Sequence, residues 1–326
     1  MRYGVTLQGV VEPAEWTELV RWVEELGFDD LWITDSSTHA GDCYVYATLA
    51  LQATSRLTVG TAVTNPLTRH PAITANAFRS LCLLAPERVV CGIGVGDRPL
   101  YELGLPMAKI ATLRETIDVL RRLWRGETVD AEIGSWRLKA SHLRSAVPEP
   151  PVYVSASQPR ALELTGEIAD GLILLAGLFP EGLAFAREHV AAGRARSVRA
   201  AFDETLFLYG AISDDEDAAL DAARSIAAWI PKTAPQYARL AGMSAELIES
   251  VNAVYSGGEF QHAKEAARLI PDELVRKIAF CGTPGQAQAK LDWLRDAGVG
   301  SVSVFPLGPD RRTTIARFAE LCFERV

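Results

Sequence analysis

Residues 57–84 read LTVGTAVTNPLTRHPAITANAFRSLCLL. A short apolar run, Leu57–Val63, leads into a polar turn, Thr64-Asn65-Pro66. The chain then passes through Thr68-Arg69-His70-Pro71 into a stretch of helical period ending at Leu84. A run that is apolar on both faces fits a strand of a covered parallel sheet. Pro71 falls near the first helical position, where a missing N–H costs nothing. The stretch is one strand–loop–helix unit.

The unit recurs in both directions. Candidate strands are Tyr3–Gln8, Asp30–Thr34, Leu57–Val63, Arg88–Val95, Val152–Ala156, Gly171–Ala176, Glu204–Ala211 and Gly300–Phe305. In Pro13–Leu26 the apolar residues Trp16, Leu19, Val20, Val23 and Leu26 form one stripe, with Glu18, Arg21, Glu24 and Glu25 outside it. Leu113–Trp124, Pro159–Ala169, Asp214–Trp229, Pro284–Ala297 and Arg311–Phe323 read alike. Strand-then-helix repeated about eight times, over roughly 250 residues plus insertions, predicts an α/β fold of the (β/α)8 or TIM barrel type. The excess length falls in 126–151, where a hairpin around Gly134 is expected, and in 231–278, which is helical and polar. One barrel domain over 1–326 is the simplest account, although an open doubly wound sheet shows the same alternation.

Composition removes several function classes. Lys and Arg total 33 against 41 for Asp and Glu, a formal charge of −8, so the basic excess of nucleic-acid binders is missing. Charge-free stretches such as Cys43–Ser55 fall short of the roughly 18–20 apolar residues that span a membrane. The segment after Met1-Arg2 does not read as a signal peptide, so a cytoplasmic protein is expected. Five cysteines without a C-x-x-C pair read as buried free thiols.

In such a barrel the chemistry sits where strands end. Those ends carry Thr6, Thr34-Asp35-Ser36, Thr64-Asn65, Gly94-Val95-Gly96-Asp97, Ala156-Ser157 and Ala176-Gly177: small, mostly neutral polar residues. The five histidines show no H-x-x-x-H or H-E-x-x-H spacing, which speaks against a metal hydrolase, and no G-x-S-x-G elbow occurs. Gly94 and Gly96 admit close approach of a ligand to the backbone or simply ease a turn; the G-x-G-x-G-D pattern lacks the Rossmann spacing. Asp35 reads equally as a ligand contact or a loop ion pair, and His39 and His70 as solvated or satisfied rings more readily than as catalysts.

In these stretches the chain resembles the luciferase-like flavin and deazaflavin oxidoreductases, in particular the methylenetetrahydromethanopterin reductase branch. The stretches are Leu31–Asp35, Val63–Pro66, Pro71–Ala75, Gly92–Asp97, Gly166–Gly171, Gly282–Pro284 and Gly308–Asp310, in family order. The resemblance implies a barrel with a deazaflavin, coenzyme F420, in its mouth, or FMN in its place. It implies a non-prolyl cis peptide, here Ala62–Val63, backing the ring, with Asp35, Thr64 and Asn65 flanking it. Gly94, Gly96 and Asp97 would line the path to the tail, and Ala156, Ser157, Ala176 and Gly177 would hold the phosphate through backbone donors.

Two positions depart from the branch. The reductases carry a Glu on the first strand, where this chain has Thr6, and a His after the second-strand Asp, where it has Ser36. Thr6 can orient a water and His39 can compensate, so Asp35, His39 and Thr6 are the catalytic candidates. The expected function is hydride transfer between F420 and a small cyclic organic molecule other than methanopterin. An FMN-dependent monooxygenase with a separate reductase and a non-catalytic carrier barrel are the alternatives. By resemblance the protein is a homodimer or larger homo-oligomer. Gly257-Gly258 reads as a surface turn or a lid hinge.

Overall fold

A computed structural model describes residues 1–36, 38–175, 177–255, 263–308 and 310–323, leaving aside the side chains of Arg98 and Pro99. Ala176 and Gly257-Gly258 lie outside the described residues. The strands are β1 (Arg2–Leu7), β2 (Asp30–Ile33), β3 (Thr58–Thr61), β4 (Val89–Gly94), β5 (Val129–Ile133), β6 (Trp136–Ser141), β7 (Val152–Ser155), β8 (Gly171–Leu174), β9 (Asp203–Ile212), β10 (Phe280–Gly282) and β11 (Ser301–Pro306). All eight expected strands are present, their ends shifted by one or two residues.

Parallel pairing runs β1-β2-β3-β4-β7-β8-β9-β11 and returns to β1, so the sheet closes and the open doubly wound arrangement is ruled out. The short β10, which the sequence pattern does not reveal, pairs with Gly210–Ile212 at the C-terminal end of β9.

Alternation along each strand divides two apolar regions. Val5, Leu7, Leu31 and Ile33 join the core beneath the helices, while Trp32, Val90, Tyr153, Ile173 and Phe207 cluster separately inside the barrel. Large rings fit there because their strand neighbours are glycines. A Cβ on Gly60 would lie 2.5 Å from the Trp32 ring, and one on Gly171 2.7 Å from the Tyr153 ring. At the N-terminal floor, Arg2 bonds Asp203 and reaches Asp30 at 3.3 Å, while the Tyr153 hydroxyl donates to Asp203 at 2.6 Å. Burial pushes the Asp30 carboxyl up to about 6 against the opposing charge of Arg2.

The expected helices form, and two further long ones and the short Arg98–Glu102 appear. Cys43–Ala53 is capped by Asp42, whose carboxylate accepts from Tyr44 N at 2.9 Å. Pro180–Arg194 packs backbone to backbone on Pro159–Ile168: a Cβ on Gly193 would lie 2.0 Å from Glu163 O, and one on Gly166 2.2 Å from Val190 O. The helix Glu216–Thr233 runs through Pro231, which falls in its last turns and so removes a bond without ending it.

The hairpin around Gly134 is present as β5–β6, with Gly134 at φ +58. It docks on the loop after β3: Trp136 Nε1 donates to Pro66 O at 2.9 Å, and His70 Nε2 lies 3.3 Å from Arg137 O. The five cysteines are free thiols, buried except for the half-buried Cys322. Among the described residues no helix is long and apolar enough to cross a membrane.

Candidate active site

Past β3 the chain turns at a cis peptide, Ala62–Val63, as the resemblance implies. Both residues are half-buried and pack on the interior cluster of the barrel. The chain is stitched back to β4 at once, since Thr64 N donates to Gly92 O at 3.0 Å and Thr64 O accepts from Gly94 N at 2.9 Å. Gly94 leaves room for the bulge: a Cβ there would stand 3.0 Å from Val63 Cγ2. Asn65 closes the turn, its Oδ1 accepting from Leu67 N and Thr68 N at 2.9 Å each. Its Nδ2 is buried and has no partner among the described residues, and the same holds for the Thr34 hydroxyl at the end of β2.

Asp35 sits beside this turn with its side chain 2% exposed. Its Oδ2 accepts from the Thr64 hydroxyl at 2.9 Å and from Arg69 Nη1 at 2.8 Å. The other arm of Arg69 reaches Asp42 at 2.7 Å, and the guanidinium lies 4.8 Å over the Tyr44 ring. Tyr44 in turn offers its hydroxyl to Thr64 at 3.4 Å. Burial raises the Asp42 carboxyl, but the Arg69 hydrogen bond and charge and the helix N–H groups outweigh it and hold it below the usual range. One arginine thus ties the end of β2, the cap of a helix and the loop after β3, and it offsets the negative charge of Asp35.

The other expected residues occupy distinct places. Gly96 takes φ +75, and a Cβ there would stand 3.2 Å from Asn65 Cβ, so the loops after β3 and β4 meet at this point. Asp97 is exposed, and its carbonyl accepts from Leu100 N and Tyr101 N at 3.2 and 3.1 Å. The Ala156 N–H is engaged by Ile173 O at 3.3 Å, so this backbone donor is already spent. Ser157 O accepts from Gln236 Nε2 at 2.7 Å. Gly177 takes φ +95, with the Tyr237 ring 3.0 Å from where its Cβ would be.

Thr6 is buried, with its hydroxyl 2.8 Å from that of Ser303. His39 stands at the rim, 45% exposed, with Nε2 2.6 Å from Glu102 Oε1; Thr38 donates to the same carboxylate at 3.0 Å. His70 caps the helix Pro71–Leu84, with its Nδ1 accepting from Ala72 N at 3.2 Å. At the same end of the barrel Tyr209 packs with its ring centroid 5.5 Å from that of Phe305, tilted, and 6.1 Å from that of Trp229, edge to face, forming an aromatic wall.

Asp35, Val63, Thr64, Asn65, Gly94 and Gly96 therefore converge, while His39 lies outside the cluster and Thr6 pairs with Ser303. Sequence reading passed over Arg69, Gln236, Tyr237 and the aromatic wall. Only the quoted Thr68-Arg69-His70-Pro71 loop offered a signal, and it did not name a partner. Among the described residues no group of His, Cys, Asp and Glu could hold a metal ion. The arrangement can bind a flat conjugated group through an apolar wall and neutral donors.

The model of the luciferase-like monooxygenase family matches residues 1–301. The chain is 29% identical over 327 residues to the 5,10-methylenetetrahydromethanopterin reductase of Archaeoglobus fulgidus, covering 97% of this chain and 96% of that one. It is 35% identical over 223 residues to the F420-dependent glucose-6-phosphate dehydrogenase of Beutenbergia cavernae, covering 62% and 65%. The coenzyme F420 dependent tetrahydromethanopterin reductase from Methanopyrus kandleri superposes with a TM-score of 0.85 at 26% identity, covering 98% and 97%. With the closed barrel, the turn after β3 and a family match over most of its length, the chain belongs to the luciferase-like monooxygenase family.

Proposed function

We propose that this protein is an F420-dependent oxidoreductase that moves a hydride between the deazaflavin and a small, cyclic organic substrate. One observation carries the reading: a half-buried apolar surface, Ala62 and Val63, flanked by a buried amide and a buried hydroxyl without partners among the described residues. A flat tricyclic ring with polar edges fits such a surface, because it covers the apolar wall and satisfies donors that are costly to leave unpaired. The names of the reductase and dehydrogenase relatives support F420 as that ring.

Bound F420 supplies a ring carbon that gives or accepts the hydride. The protein supplies position. Val63, backed by Gly94, would support the ring, and the unpartnered Asn65 amide and Thr34 hydroxyl would be the groups that hold its polar edge. Asp35, held by Thr64 and Arg69, fixes the loop beside it without adding net charge. Much of the rate then comes from alignment of two bound partners. The buried Thr6–Ser303 hydroxyl pair would serve at most to orient a water; a threonine hydroxyl is too weak an acid to drive the step alone. The reading extends to a homodimer or larger homo-oligomer working in the cytoplasm, supported by resemblance to the reductases.

An FMN-dependent monooxygenase is the second reading, favoured by the description of the matched family. Equilibrium titration separates them. F420 is expected to bind at least about 10-fold more tightly than FMN, a gap of roughly 1.4 kcal/mol. Tight FMN binding, failure of F420 and oxygen uptake with reduced FMN would reverse the assignment.

A further inference from the structure

Beside the end of β11, on the same barrel face as Asp35 and Val63, lies a cleft of about 740 Å3. Phe305 to Gly308 form one wall, and the helix Glu216–Thr233 with residues 264–268 forms the other. Arg224, Lys264, Arg268 and Arg311 line it against a single lining acid, Asp221, in a chain whose net charge is −8. Arg224 is part of the wall: it pairs with Asp272 at 2.7 Å and Asp221 at 3.2 Å and donates to Ile270 O at 2.9 Å. Lys264, Arg268 and Arg311 have no ion pair or side-chain hydrogen bond among the described residues. Like charges gathered in a concave surface raise the local potential and draw counter-charge, and arginine forks match carboxylate and phosphate oxygens.

Phe305 lines the cleft, and its ring also packs at a tilt on that of Tyr209, centroids 5.5 Å apart. Ser157 and Gly177, which the resemblance gives to the coenzyme phosphate, follow β7 and β8, and β9 separates those strands from β11. Tyr209 and Phe305 lie toward the C-terminal ends of β9 and β11, the end of the barrel that carries Val63, so a substrate bound at that end would reach the cleft past Phe305. We propose that this cleft binds a phosphate or carboxylate carried by the substrate at the end remote from its reacting carbon, so that the substrate class is anionic. This inference rests on the oxidoreductase reading of the mouth.

The test is calorimetric titration of inorganic phosphate, at fixed ionic strength, into the enzyme saturated with F420. The same titration is made on the Arg268→Gln/Arg311→Gln variant, with circular dichroism as the folding control. Phosphate is expected to bind the loaded enzyme and to weaken about 10-fold or more in the variant, as loss of charge-assisted hydrogen bonds predicts. F420 affinity is expected to stay within twofold. Equal phosphate affinity in both proteins overturns the proposal. So does a variant that loses F420 but keeps a deazaflavin stripped of its anionic tail, which would give the cleft to the coenzyme. Failure of the wild-type protein to bind F420 sinks the reading of the mouth instead, and phosphate titrated into the protein alone still decides whether the cleft selects anions.

Discussion

The two ends of the barrel use the same chemical unit. At the floor, Arg2 stands between Asp30 and Asp203, and the Tyr153 hydroxyl donates to one of the carboxylates. At the mouth, Arg69 stands between Asp35 and Asp42, and the Thr64 hydroxyl donates to one of the carboxylates. The floor unit joins strands: Arg2 and Asp30 sit on the paired β1 and β2, while Asp203 on β9 is bonded across the barrel from β1 and β7, which do not pair with it. The mouth unit joins loops, and its neighbours Asn65 and Thr34 keep buried donors without partners among the described residues. An arginine between two acids is therefore no mark of function by itself; what sets the mouth apart is that its unpartnered donors lie beside the half-buried Ala62–Val63 turn, whereas those of Trp32, Thr205 and Ser301 lie among the barrel strands.

The largest expected effect comes from cutting the mouth unit. Arg69→Ala leaves Asp35 buried with a charge that nothing offsets, and stability should fall by about 3–5 kcal/mol in urea denaturation. Arg69→Lys, with one charged head in place of a fork, should restore part of it. A wild-type midpoint for Arg69→Ala would show that the loops are held by something else.

The floor gives the next effect, with a defined pH window. Because the folded-state carboxyl of Asp30 titrates at about 6, above its ordinary 3.8, the folded protein holds that proton more tightly than the unfolded chain. Its contribution to stability is present below pH 4 and is lost as pH rises to about 6, a change of about 3 kcal/mol. Asp30→Asn cannot ionise, so its stability relative to wild type should climb across that window and level off above it. A constant difference from pH 4 to pH 7 would contradict the assignment.

Gly94→Ala pushes on Val63 rather than on the barrel. Coenzyme affinity should drop about 10-fold, or roughly 1.4 kcal/mol, with little change in Tm; a loss of Tm without loss of affinity would reverse that order. His39→Ala removes a rim pair in which His39 is 45% exposed, and should cost under about 1 kcal/mol. If turnover instead collapses while F420 still binds, His39 belongs with the mouth after all.

The barrel was legible because its strands are apolar on both faces and because prolines at 13, 71, 159 and 284 mark helix starts. Cys43–Ala53 escaped notice because it carries no charge and shows no amphipathic stripe. Pro180–Arg194 escaped because Gly193, which reads as a breaker, marks its closest contact with the preceding helix. Of the site, the loop positions and the turn at Ala62–Val63 followed from the resemblance. The partner of Asp35 lies 34 residues away and that of His39 sits at the end of the short helix Arg98–Glu102, and no local pattern encodes such pairings. Gln236 and Tyr237 arrive from an insertion whose composition says only that it is helical.

The indole of Trp136, hydrogen-bonded to Pro66 O, gives the β5–β6 hairpin a role out of proportion to its place on the outside of the sheet. The barrel ladder closes without it, although Val129, Ile133 and Leu138 anchor it in the main core, so a different hairpin at this place would leave the strand pairing of the barrel intact. What such a change would alter is the footing of the segment that carries Asn65, and with it the fit of whatever molecule rests there. Diversification of ligand preference on this scaffold can thus begin at its periphery.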